Sequence, residues 1–191
     1  RSQVEEPIRK ARPMPNHVIN EIIFRDVDAD AQSAIKAACL NAEGFIDFDV
    51  LLPTPINVWM FSHGQKHEKL GGNALDWSRE NWGTKWNAYG QDDKHYDRLT
   101  VDGDTLTLRF QTAWSPPYGW LLALFNTTKR DFDHNWMDEG AAHGVSAKWR
   151  YPKGDDFRFD PWSEKQCDEP MQRHLSKLQW GVENLAELEQ Q

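Results

Sequence analysis

His63 and His67 stand four residues apart in SHGQKHE. That spacing can put two imidazoles on one face of a helix, with Glu68 the nearest third metal ligand. Gly64 lies between them and no HExxH pattern is present, so the preferred reading is a solvated loop. Asp92, Asp93, His95 and Asp97 gather carboxylates that could hold a cation. They lack the order of an EF-hand, and a solvated turn is preferred. Asp47 and Asp49 read as two surface carboxylates on the polar side of a strand. Ser115 precedes Pro116-Pro117 without the GxSxG elbow of a nucleophile. His17 could be catalytic, but a satisfied histidine at a strand start is preferred. There is no phosphate loop, dinucleotide fingerprint, CxxC pair or zinc spacing. The expectation is no catalytic residue, no metal and no cofactor.

The densest unusual stretch is aromatic: ENWGTKWNAYG, residues 80–90. Trp82 and Trp86 are four apart, so their rings can share one side of a helical turn or tight loop. Gly83 lets the backbone pass close to the sheet, and Trp114 can meet the two rings. Lys85 and Asn87 then point outward, and Thr84 can bond local backbone. The preferred reading makes Trp82, Trp86 and Trp114 a largely buried structural clasp. The functional reading makes a binding cleft beside it from Lys85, Trp86, Asn87, Trp114 and Ser115.

The elements that must position these residues follow from periodicity. HVINEIIF (17–24) reads as a strand, and DADAQSAIKAACL (28–40) as a helix with acids at its start. FIDFDVLLP (45–53) alternates as a second strand. Residues 54–97 form a long irregular insertion with a short helix at 74–81. RLTVDGDTLTLRFQTAW (98–114) reads as a hairpin turning at Asp102-Gly103. A helix capped by Ser115 follows near 116–126, then strands near 131–137 and 144–151. This order predicts an α+β, ferredoxin-like (split βαβ) antiparallel sheet, with helices on one face, a long insertion and a C-terminal helix.

Residues 14–151 are thus the domain, preceded at 1–13 by a flexible basic arm and followed at 152–191 by an acidic tail. In the tail, Met171, Leu175, Leu178, Val182 and Leu185 are spaced as a heptad seam. A helix docked on its own domain is preferred to a homodimer contact through 171–185.

Ten tryptophans in 191 residues suit a core with wet edges, or an interface. A net charge of −8 argues against a generic duplex-DNA surface, which needs a basic footprint. No apolar run nears the length of a membrane span and no signal peptide opens the chain, so the reading is cytoplasmic, without membrane contact.

MPNHV (14–18), NWGTKWNA (81–88), TAWSPP (112–117) and DEG (138–140) resemble, in matching order, the YubB ferredoxin-like family of plasmid and phage proteins, which includes the Api-like phage proteins. The resemblance covers roughly residues 14–150. It implies a ferredoxin-like fold without iron, and no established activity. Relatives start at the equivalent of Met14, so residues 1–13 depart from the pattern.

The functional expectation is a non-catalytic accessory protein of a phage or plasmid, in a bacterial host cell. It would bind a host protein, a basic nucleic-acid-binding component such as part of a defence nuclease system. The alternatives are an enzyme using the cleft beside the tryptophans, or a nucleic-acid-binding protein.

Overall fold

Asp28 starts the first helix because its carboxylate accepts the N–H of Ala31 at 2.8 Å. Strand β1 (His17–Phe24) precedes it, and helix α1 spans Ala29–Cys39. The computed structural model describes residues 16–59, 73–141, 143–150 and 162–182. The remaining elements are α2 (Phe48–Leu51), α3 (Ile56–Trp59), α4 (Ala74–Asn81), β2 (Leu99–Asp102), β3 (Thr105–Ala113), α5 (Tyr118–Thr128), β4 (Phe132–Asp138), β5 (Val145–Trp149), β6 (Trp162–Gln166) and α6 (Glu169–Trp180).

The six strands form one sheet in the order β2-β3-β1-β4-β5-β6, every pair antiparallel. Its inner part, β4-β1-β3-β2, is the ferredoxin-like arrangement. Alternation assigns the faces. Ile22 and Phe24 of β1, Leu106, Leu108 and Phe110 of β3, and Phe132 of β4 pack with Ile35 of α1 and Trp120, Leu121 and Leu124 of α5. Both helices therefore share one face, as expected. Each such buried side chain contributes about 1.5–3 kcal/mol by leaving water.

Residues 45–51 are not the second strand. Ile46 makes only an isolated bridge to Leu40, and the chain then coils into α2. Side chains of the insertion take the place of a neighbouring strand. The N–H of Ile46 goes to Gln91 Oε1 at 2.7 Å, and that of Phe48 to Asn87 Oδ1 at 2.8 Å. Asp47 caps α2 by accepting from Asp49 N, and Asp49 accepts from Thr54 N, so both carboxylates shape the turn. The second ferredoxin strand is β2, the first arm of the hairpin.

The tail is more than an appendage, because β6 extends the sheet past 151 and α6 covers its second face. Leu175 and Leu178 bury against Ile19 and Met137, so these seam positions pack within the chain. The helix stops at Gly181, φ 77°, before Val182, and Leu185 lies outside the described residues. The basic arm at 1–13 lies outside them too. Among the described residues no helix is long and apolar enough to cross a membrane.

Candidate functional site: an aromatic ledge on the insertion

The insertion is anchored where α4 meets α5. Helix α5 begins after Pro117 with no side-chain cap, so Ser115 does not serve as one. The carbonyl of Trp82 instead accepts the N–H groups of Gly119 at 3.1 Å and Trp120 at 3.2 Å. Gly83 is needed here: its φ is 84°, and a Cβ would lie 2.9 Å from Tyr118 N. It passes the start of α5, not the sheet. The Trp82 ring is buried edge-on to Phe48 and Trp77, and its Nε1 donates to Leu52 O at 3.0 Å.

Beyond Gly83 the chain runs along the part of β3 that β2 leaves unpaired. Thr84 Oγ1 donates to Ala113 O at 2.9 Å, and Tyr89 and Gln111 exchange both backbone bonds, at 3.0 and 2.7 Å. Asn87 turns inward, donating to Asp47 Oδ1 and accepting from Phe48 N. The Ser115 hydroxyl donates to Gly83 O at 2.7 Å. Both polar side chains of the expected cleft thus hold the insertion in place.

Trp86 and Trp114 are not buried. They are 44% and 43% exposed, and only Trp82 of the three joins the core. The ammonium of Lys85 lies 4.2 Å from the Trp114 ring centre and 4.8 Å from that of Trp86. The Arg79 guanidinium lies 5.0 Å from the Trp114 ring centre. Trp114 adopts φ 73°, the left-handed region that bulky residues avoid. Tyr89 continues the ledge, its ring 6.0 Å from Trp86. Its hydroxyl donates to Thr112 O at 2.9 Å and therefore accepts from His17 Nδ1 at 2.7 Å. Burial and the Glu139 charge push the Tyr89 phenol well above its usual range, so it remains a neutral donor.

These contacts lie in the segment whose sequence can be compared with known proteins. Residues 82–172 match the family model described as the ferredoxin-like domain in Api92-like protein. The match starts at Trp82, takes in the ledge apart from Arg79 and His17, and ends within α6. The match agrees with the ferredoxin-like strand order of the inner sheet described above. No curated protein and no solved structure matches the chain.

Beside the ledge the surface turns acidic. A cavity of about 320 Å³ is lined by Glu43, Asp47, Asn87, Tyr89 and Asp92, and one of about 500 Å³ by Asp92, Asp93, Tyr96, Asp97 and Arg98. Asp92 pairs with Arg98 at 2.7 Å, and Asp93 accepts from His95 N at 2.9 Å. Among the described residues no three His, Cys, Asp or Glu gather to hold a metal ion. His63, His67 and Glu68 lie outside them.

Sequence reasoning missed a polar row across the second sheet face. Register aligns Arg109, Glu21, Asn135, Ser146 and Lys165 on five successive strands. Arg109 Nε lies 2.8 Å from Glu21, Asn135 Nδ2 donates to Glu21 at 3.3 Å, and Ser146 Oγ to Asn135 at 2.8 Å. His174 of α6 reaches the same carboxylate at 2.9 Å. Burial raises the Glu21 pKa, but the bonds and charges of His174 and Arg109 outweigh it and leave the carboxyl below its usual range. Cys167, 3.1 Å from Ser146 Oγ, is pushed up by burial, which makes it a poor nucleophile. The signal available in sequence was Glu21 itself, a charge beside Asn20 in a strand that is otherwise apolar from Val18 to Phe24.

Proposed function

We propose that this chain is a non-catalytic accessory protein of a phage or plasmid, which binds a host protein through the ledge of Trp86 and Trp114. Trp114 carries the reading. Left-handed backbone costs a bulky residue about 1–3 kcal/mol, and the Trp114 ring stays 43% exposed. An aromatic side chain held outward at such a cost suits an interface anchor, and tryptophan, tyrosine and arginine dominate binding hot spots. Glu43, Asp47, Asp92, Asp93 and Asp97 beside the ledge, with a net charge of −8, favour a basic partner. A nucleic-acid-binding host component, such as part of a defence nuclease system, has that character. The resemblance of NWGTKWNA and TAWSPP to YubB proteins supports the mobile-element origin.

The test is capture from host lysate with mass-spectrometric identification. The parent should retain a basic protein, less so as salt rises. The double variant Trp86→Ala/Trp114→Ala should lose it while keeping the parent's circular dichroism. Undiminished capture by that variant would refute the ledge. Generic duplex DNA should not shift with residues 14–191 at moderate salt. A tight shift would replace this reading with the nucleic-acid one.

A further inference from the structure

The second sheet face is chemically opposite to the acidic strip. Where the N-terminal half of α6 leaves the sheet uncovered there is a cavity of about 170 Å³, bordered by Arg25, Asp133, Asn135, Ser146, Lys148 and Lys165, with Asp168 and Met171 of the α6 start. At roughly 30 Å³ per water molecule it has room for about five waters, too little for a nucleotide and enough for one small polyatomic ion. We infer that this cavity binds a phosphate group.

The polar row sets its floor. Ser146 and Asn135 are joined by a hydrogen bond at 2.8 Å, and Ser146 pairs in register with Lys165. The next row brings Asp133 opposite Lys148. Asp133 does not neutralise that lysine, because it already ion-pairs with both Arg25 and Arg150. Among the described residues neither Lys148 nor Lys165 has a carboxylate within ion-pair distance. Three lining cations (Arg25, Lys148, Lys165) thus face two lining carboxylates (Asp133, Asp168), a local excess of one positive charge in a chain of net −8. A phosphate monoester carries about −1.5 to −2 at neutral pH and offers three acceptor oxygens. Lys148 and Lys165 offer only donors. The chain's overall negative charge opposes an anion at long range, but at physiological ionic strength it is screened beyond about 8 Å. The local cations then decide.

The experiment is a titration of 15N-labelled full chain at constant ionic strength, with inorganic phosphate and, separately, O-phosphoserine, against a chloride control. Saturable shifts confined to the amides around Ser146, Lys148 and Lys165 are expected, in the millimolar range. The tighter of the two ligands tells whether a free ion or an attached group is the natural occupant. Lys148→Gln/Lys165→Gln should weaken binding at least tenfold, and both side chains are exposed enough for the fold to tolerate the change. Lys36→Gln, on α1 at the opposite sheet face, should leave it unchanged. Linear, unsaturating shifts spread over surface lysines, or unchanged binding in the double variant, would overturn the assignment.

Discussion

Gly119 and Asn81 meet through bare backbone: a Cβ on Gly119 would stand 2.1 Å from the Asn81 carbonyl oxygen. This contact seats the end of α4 on the start of α5, and with it the ledge. Gly119→Ala gains about 1 kcal/mol of helix propensity, but the clash is with main chain that no rotamer change can relieve. Net destabilisation of roughly 2 kcal/mol or more is expected from overpacking. A denaturant midpoint equal to the parent's would show that the two helices are not locked together.

The tryptophans of the insertion should separate cleanly by stability. Trp82→Ala removes a buried ring and should cost about 3–5 kcal/mol. Trp86→Ala removes a half-exposed one and should stay within roughly 1 kcal/mol of the parent. Chemical denaturation of the two variants side by side measures both.

Acidification should destabilise the fold well before its carboxylates titrate. His134 is buried, and desolvation lowers its folded pKa from 6.5 to about 3. Its Nε2 lies 3.0 Å from Asn20 Oδ1, an oxygen that can only accept, so the neutral ring donates there. The unfolded chain therefore binds the proton first. Stability falls as pH drops from about 6.5 towards 3, by up to about 1.4 kcal/mol per pH unit. Glu21 and Asp133, both held below their usual range, add further loss below about 4.5 and 3.8 respectively. Melting temperature against pH should decline between 6 and 5 in the parent and less in His134→Gln. Parallel curves would place the proton elsewhere.

Trp114→Gly should melt within about 1 kcal/mol of the parent, because relief of left-handed backbone offsets the lost partial burial. The same variant should fail to capture the partner. Strong destabilisation would make Trp114 a packing residue after all.

Periodicity located most of the framework because α1 and α5 each bury one stripe and β1 and β3 are long runs of strand-forming residues, β1 being buried on both faces. It failed at 45–51, where Phe45, Asp47 and Asp49 alternate like a strand. The N–H groups of Ile46 and Phe48 between them go to side chains some 40 residues later, Gln91 and Asn87, which no local window contains. It failed at β6 because WSEKQ has no apolar alternation. Of the expected binding residues, Lys85, Trp86 and Trp114 do share one surface, whereas Asn87 and Ser115 serve the backbone. Tryptophan content alone could not tell ring from ring. Trp82 caps α4 at φ −86° with its ring on Phe48 and Trp77, whereas Trp114 follows β3 at φ 73° and stays exposed.

The register of β1 fixes a timetable. It pairs with residues 106–113 and 133–138, and with no strand made before them. Ribosomes extend a chain at about 5–20 residues per second. Some five to twenty seconds therefore pass between synthesis of VINEIIF and arrival of its first partner. During that interval an apolar segment with two open strand edges waits beside α1 alone. Pairing with the hairpin of β2 and β3 is the event that closes the first of those edges.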